Sequence, residues 1–380
     1  MNKFFDVLKR HFKLLVHPLI YYYIMLTILF MNNKKLESEV RALDKPKASG
    51  KKKDTFIIDA LAMLAAMAVL AWYYYGERAL RLILFSALTA LLLDWFGNSL
   101  LNNKQAADPL YALFTGAAIA LLLPASSPYW LPVIGSSFAI IAAKLPFGGK
   151  DNLPFVPIAA GIAFLCISFP QMVFSYPAVE QGAEVAVYGS PSFAPSASIA
   201  EMLSKNNSIG VNVFGYLNIL TGAIPSPMGT GSLLLMSGIA LYMYLRNPKM
   251  FISGAGFIAT CAIFAVLFPR VITGRRISLL MELSSGMLLF AAIFLVPQKT
   301  LRLKNPTHRL LYGMATGAVC MLLRYFGAYE EGVCFAVMLM NGVIAAMTSP
   351  RPVKSRKSPV LTEEKQTEDA VSSERSVAYE

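Results

Sequence analysis

The sequence predicts an all-α polytopic membrane protein with about ten spanning helices, and three observations carry that prediction. Of 380 residues, 56% are hydrophobic and 15% charged, against roughly 25% charged in a soluble domain. The apolar residues come in blocks of about 20, the length that crosses a hydrocarbon layer as helix. The basic residues are distributed unevenly between the loops, which sets an orientation.

The predicted spans are 55–75, 79–97, 109–124, 129–145, 154–175, 229–246, 250–269, 277–296, 308–325 and 330–347. Several are short, as expected of helices that are broken or shielded by neighbours. Residues 1–53 hold twelve Lys and Arg against four Asp and Glu, so this end is expected in the cytoplasm. With ten spans, the basic residues Lys104, Lys144, Lys150, Arg246, Lys249, Lys299, Arg302, Lys304 and Arg309 also fall inside, as does the carboxyl-terminal tail. The long loop 176–228, with three Glu and one Lys, falls outside. Arg270, Arg275 and Arg276 run against the bias.

Residues 14–31, apolar and aromatic with Pro18 near the start, are expected to form an interfacial or re-entrant helix. Residues 32–53 read as a basic linker and 348–380 as a disordered cytoplasmic tail. The first apolar run lacks a signal-peptide cleavage site and is followed by lysines. The net charge of +12 reports orientation and anionic lipid contact, with no basic surface for nucleic acid. The expected location is a bacterial plasma membrane, with both termini cytoplasmic.

The four cysteines, Cys166, Cys261, Cys320 and Cys334, all lie in predicted spans without metal-ligand spacing. They read as buried structural thiols, with an iron–sulfur site shared with a partner subunit as the alternative. His11, His17 and His308 are too scattered for a metal site. No Walker loop, serine elbow or HExxH is present, which excludes a soluble-type hydrolase or ATPase.

Asp59, Asp94, Asp108, Lys144, Glu282 and Arg324 lie in or near spans, where burial of charge is costly. Snorkelling or orientation is the simpler role for each. Asp94, Asp108 and Glu282 are the candidates for an ion path. The halves also echo one another: Leu113-Phe114-Thr115-Gly116 opens a run ending at Leu123-Pro124, and Leu283-Ser284-Ser285-Gly286 one ending at Val296-Pro297. Five spans separate the copies, which places them in opposite orientations, as in a 5+5 inverted repeat.

Three stretches resemble a known family. The first runs Asp108-Pro-Leu-Tyr-Ala-Leu-Phe-Thr115-Gly116, then Leu123-Pro124, Pro128, Trp130, Gly135, Phe138, Lys144, Phe147-Gly148-Gly149, Asn152, Phe155 and Pro157. The second is Gly222-Ala-Ile-Pro225 with Gly229-Thr-Gly-Ser232, and the third Arg324-Tyr-Phe-Gly327 through Glu331-Gly332 to Asn341. They resemble the NqrB/RnfD family: RnfD of Rnf electron-transport complexes and the related NqrB of Na⁺-translocating NADH:quinone oxidoreductase.

The resemblance implies a ten-helix inverted-repeat fold similar to urea transporters and membership of a complex coupling electron flow to Na⁺ or H⁺ movement. It implies FMN held as a phosphoester on a hydroxyl between spans five and six, attached by a flavin transferase, with riboflavin a further candidate. The acceptor position falls at Ser198 in Pro195-Ser196-Ala197-Ser198, where the family motif has a polar residue and Gly before Ala. A hydroxyl in this Pro/Ser-rich loop is expected to be exposed and mobile. Gly229-Thr230-Gly231-Ser232 and Leu295-Val296-Pro297 each lack an acid usual in the family.

Gly148-Gly149 and Gly229 suit close backbone approach at half-helix ends, where helix amino termini offer a place for a flavin phosphate or other anion. Helix packing is the alternative for these glycines. The implied role is a non-autonomous subunit that relays electrons between partner subunits. A flavin-free scaffold for an extracytoplasmic redox partner and a urea-transporter-like channel are the alternatives.

Overall fold

The computed structural model describes residues 55–101, 107–148, 153–179, 185–204, 215–270, 275–298, 303, 305–327 and 329–348. The predicted interfacial helix at 14–31, the basic linker and the tail from 349 onward lie outside these residues. The site lies in the compact unit Lys45–Ile344, and the last helix runs a few residues beyond it.

That unit is helical. In chain order it comprises α1 (Thr55–Leu100), α2 (Pro109–Leu121), α3 (Trp130–Ile141), α4 (Pro157–Ser168), α5 (Pro170–Val173), α6 (Ile199–Ser204), α7 (Tyr216–Thr221), α8 (Leu233–Arg246), α9 (Pro248–Leu267), α10 (Arg275–Ser284), α11 (Leu288–Phe290), α12 (Pro306–Phe326) and α13 (Val333–Thr348). A π-helical segment, Ala291–Leu295, prolongs α11. Strands β1 (Tyr176–Pro177) and β2 (Pro195–Ser196) pair antiparallel, Tyr176 opposite Ser196.

Proline opens many of these helices. It sits at the first position of α2, α4, α5, α9 and α12, where its missing N–H has no intrahelical partner to lose. Asp108 caps α2, its carboxylate accepting from Tyr111 N at 3.2 Å, and Ser232 caps α8 by accepting from Leu235 N at 3.2 Å.

Among the described residues, three helices are long and apolar enough to cross a membrane: Thr55–Leu100, Trp130–Phe147 and Pro248–Leu267. The pair Arg275–Ser284 and Leu288–Leu295, bent by 68°, makes a fourth if taken as one span. Pro109–Leu121, Pro157–Ser168, Leu233–Arg246 and Val333–Ala346 are shorter apolar helices. The outer surface of α1 carries many apolar side chains, with Val69, Trp72, Leu84, Leu88 and Leu92 exposed. Such a surface suits lipid rather than water. The chain is a polytopic helical membrane protein.

The expected break between spans 55–75 and 79–97 falls inside α1 at Gly76, with φ 64° and ψ −156°. That backbone region is essentially reserved for glycine. Arg78, two residues on, donates to the carbonyls of Ala125 and Ser127, each at 2.7 Å. The expected single span 277–296 is instead broken: α10 ends at Ser284 and the chain turns through Gly286 at φ 59°. The echo of Gly116 and Gly286 therefore pairs unlike positions. Gly116 lies mid-helix against Ser86, whose hydroxyl donates to its carbonyl at 2.7 Å, whereas Gly286 makes a turn.

The short segments α2 and α11 with its π extension meet at the centre. Phe114 lies 6.2 Å from Phe294, ring centre to ring centre, and Tyr111 Oη donates to Gln298 Oε1 at 3.1 Å. Beside α2, Gly229 N donates to Leu121 O at 2.8 Å. A Cβ at Gly229 would sit 2.9 Å from both Leu121 and Met67. This is the close backbone approach expected of that glycine.

Candidate functional site: two buried charge clusters and a closed hydroxyl

The first cluster is built by α1, α2 and the end of α3. Asp94 sits in the last two turns of α1 and Lys144 just past α3, where Leu145–Phe147 forms one 3₁₀ turn ending at left-handed Gly148. Lys144 Nζ meets Asp94 Oδ1 at 2.6 Å, with both side chains almost wholly buried. The same carboxylate accepts from Asn98 Nδ2 at 2.9 Å and from Asp108 N at 3.2 Å. Lys144 also reaches the Asp108 carbonyl at 3.4 Å and lies 5.6 Å from the Tyr111 ring centre. Asp94 and Asp108, two of the candidate acids, thus share one site, and Trp95 beside Asp94 faces outward.

The second cluster gathers Glu282 from α10, Arg324 from the end of α12, Glu331 from the turn before α13, and Arg270 from the turn after α9. Arg324 Nη1 meets Glu282 Oε2 at 3.2 Å and Arg324 Nη2 meets Glu331 Oε1 at 3.1 Å. Arg324 Nη2 also donates to the Ser285 carbonyl at 3.1 Å and hydroxyl at 2.5 Å. Arg270 Nε donates to Glu282 Oε1 at 2.6 Å, its guanidinium 4.3 Å from the Tyr325 ring centre. This pairing accounts for Arg270, one of the three residues that violate the basic-loop bias.

Both clusters correct expectations. Lys144 and Arg324 do not snorkel to a surface: they are 0% and 3% exposed. Each points inward because a carboxylate partner waits there, and paired burial avoids the cost of an isolated charge. Of the glycines where an anion was expected, Gly229 precedes α8, whose amino terminus Ser232 caps, and Gly149 lies outside the described residues. Elsewhere Asp108 caps α2, and a Cβ at Gly286 would collide with Glu331, so glycine is what lets this carboxylate in before α11. Asp59, the remaining charged candidate, pairs with Arg246 at 3.3 Å, with Arg246 half exposed.

Ser198 stands apart from both clusters, at the start of α6. It is only 4% exposed, against the expectation of an exposed acceptor. Its Oγ accepts from Glu201 N at 3.0 Å and donates to Glu330 Oε2 at 3.2 Å. Ser198-Ile-Ala-Glu201 is the Ser-x-x-Glu pattern of a helix start, the sequence signal that announces a capped hydroxyl rather than a free one. Ile199 and Leu203 of α6 pack on Ile219, Ile224 and Met281, while β2 ties the preceding residues to β1. The ordered pieces of loop 176–228 were not anticipated.

A phosphoester at Ser198 would keep the oxygen that caps α6 but lose the proton given to Glu330. The residues fit the group, provided that Glu330 and Ser198 part. The four cysteines are buried and free, and no group of three or more His, Cys, Asp or Glu among the described residues is placed to hold a metal ion.

The comparison with known proteins decides the family. The model of the NQR2, RnfD, RnfE family matches residues 47–354. The chain belongs to this family. Its relatives include the RnfD protein of the ion-translocating oxidoreductase complex of Escherichia coli K12, 27% identical over 352 residues, which cover 80% of this chain and 96% of the relative. The protein of the same name from Cronobacter sakazakii is 27% identical over 308 residues, 74% of this chain and 88% of its own length. That from Erwinia tasmaniensis is 27% identical over 348 residues, 80% and 96%. In this family member the matched region takes in both charge clusters and Ser198.

Proposed function

We propose that the protein is a membrane subunit of an ion-translocating electron-transport complex of the Rnf/Nqr type, with ten spans as a 5+5 inverted repeat. It has no activity alone and relays electrons between partner subunits through FMN esterified to Ser198 by a flavin transferase. The observation that carries the reading is the family match over 47–354, joined to a serine hydroxyl at the acceptor position.

The contacts between helix ends support the topology. Asp59 to Arg246, Asp94 to Lys144, Tyr111 to Gln298, and Arg309 to the Lys249 carbonyl all join ends that ten spans put on the cytoplasmic side. Arg78 to Ala125, Tyr74 to the Thr221 carbonyl, Tyr325 to the Phe268 carbonyl, Arg324 to Glu282 and Ser198 to Glu330 join ends on the other. None of these contacts links opposite sides.

When bound, FMN supplies one-electron redox chemistry. The chain's own part is placement: Ser198 holds the attachment point on the extracytoplasmic side, and the charge clusters brace the two half-helices. Asp94, Asp108 and Glu282 remain the acids proposed for an ion path, and their partners Lys144, Arg270 and Arg324 are the cations that would have to yield.

The burial of Ser198 favours a second reading, a flavin-free scaffold for an extracytoplasmic redox partner. In-gel flavin fluorescence after denaturing electrophoresis separates the two, using wild type and Ser198→Ala co-expressed with a flavin transferase. A fluorescent wild-type band that disappears in Ser198→Ala is the expected result. A dark wild-type band would leave the scaffold.

A further inference from the structure

We infer that Glu330 is a latch on Ser198, holding the acceptor segment shut against the helical body. The latch stands on contacts alone; its bearing on the flavin rests on the acceptor role proposed above for Ser198.

The geometry indicates which side of the latch is fixed. Glu330 lies between two anchored neighbours. Tyr329 is stacked between Phe174 and Phe335, with ring centres 6.2 and 5.6 Å away. Glu331 is buried on Arg324, and Gly286 leaves it room at the start of α11. The peptide carrying Glu330 is therefore pinned from both directions. The facing side is held more lightly. Helix α6 has six residues, too few to be stable by itself. Among the described contacts it is held by a small apolar cluster through Ile199 and Leu203, by the two-residue β pairing and by the Ser198 hydroxyl, with Glu201 also engaged.

Chemistry explains why the latch matters for modification. A transferase must bring the FMN-side phosphorus of a flavin dinucleotide to Oγ, so that the Oγ–P bond forms as the pyrophosphate P–O bond breaks, a nucleoside monophosphate leaves and a base takes the hydroxyl proton; a serine that is 4% exposed offers no approach for that. The resident hydrogen bond, from the Ser198 hydroxyl to the Glu330 carboxylate at 3.2 Å, occupies the hydroxyl that attachment would use. A phosphoester placed there without opening would set its negative charge against Glu330. Opening must therefore precede attachment, with Ser198 swinging away from a stationary Glu330. The same contact keeps an unmodified chain closed.

The test reads accessibility and attachment separately, in the full-length protein in detergent. A reporter Ala200→Cys on α6, buried in the wild type, is reacted with a maleimide. The four native cysteines are themselves buried and give a low background. Glu330→Ala is expected to raise the labelling rate several-fold, and Ser198→Ala to do the same from the other side. Arg246→Ala, remote from the latch, is expected to change nothing. Ala197→Cys serves as a second reporter should Ala200→Cys fold poorly.

Labelling unchanged by Glu330→Ala would overturn the latch, whatever the flavin result and whatever Ser198→Ala does, because Ser198→Ala also removes the cap of α6. Flavin attachment is then read by in-gel fluorescence with the native Ser198 present. A higher flavinylated fraction in Glu330→Ala than in wild type is expected. An equal or lower fraction, with labelling raised, would overturn the claim that the latch limits attachment. Absence of flavin from both proteins would defeat the acceptor role and leave the latch to be judged on labelling alone.

Discussion

At the scale of residues, the account turns on paired buried charges. Lys144 and Asp94 are almost wholly buried at 2.6 Å, so removing one partner strands the other in an apolar interior. Breaking such a pair costs about 3–5 kcal/mol, whereas replacing both partners with apolar groups is often neutral. Lys144→Met is accordingly expected to lower the thermal unfolding temperature in detergent sharply, and Lys144→Met with Asp94→Leu to recover most of the loss. A double variant as unstable as the single would deny the pairing. Arg81, exposed and paired with an exposed Glu77 at 2.6 Å, provides the contrast: Arg81→Ala should leave the unfolding temperature nearly unchanged, because exposed pairs are screened by solvent. The candidate acids were visible in the sequence as charges inside apolar blocks. Which cation pairs with which acid was not, since Glu282 and Arg324 are 42 positions apart and only folding joins them. The expected exposure of Ser198 fails for a nearer reason: its Pro/Ser-rich neighbourhood suggests exposure, while Glu201 three residues on marks a cap.

At the scale of elements, breaks in helices position the clusters. The break expected between spans 55–75 and 79–97 lies inside α1, and Gly76 carries its backbone. Open space surrounds that glycine, so the cost of a side chain there is backbone strain alone, about 1–3 kcal/mol. Gly76→Ala should destabilise by that amount in a thermal or denaturant assay. A neutral effect would mean that the break relaxes elsewhere. The bend between α10 and α11 was not legible, because Ser284-Ser285-Gly286 also reads as small-residue helix packing. What decides it is a carboxylate from a distant turn, Glu331, which needs the room that Gly286 leaves. Gly313 and Gly317 on α12 are true packing glycines, and a Cβ at Gly313 would strike the Ser253 carbonyl of α9. Gly313→Leu is expected to push α9 and α12 apart and abolish recovery of folded protein, measured as a monodisperse peak in size-exclusion chromatography.

At the scale of the whole molecule, composition and charge bias were enough to identify a polytopic membrane protein, because exclusion from water acts on every span. The number of crossings is harder to read, since α2, α4, α8 and α13 are shorter than a free span and depend on their neighbours. The ten-span topology predicts that cysteines placed at Lys150 and Lys299 react with a membrane-impermeant maleimide only after the cells are opened, while one placed at Gly189 reacts in intact spheroplasts. Function at this scale belongs to an assembly. Lys144 is paired with Asp94 beside α2, and Arg324 with Glu282 and Glu331 beside α11; Phe114 meets Phe294 between α2 and the segment that prolongs α11.

The central claim, that this chain works as one subunit of an ion-translocating redox complex, is tested most directly by purifying it, tagged, from its native membranes in mild detergent and recording the visible spectrum before and after adding a reductant. The account predicts co-purifying subunits with flavin or iron–sulfur absorbance that bleaches on reduction. A colourless chain purified alone, which passes a small solute across liposomes without any redox partner, would contradict it.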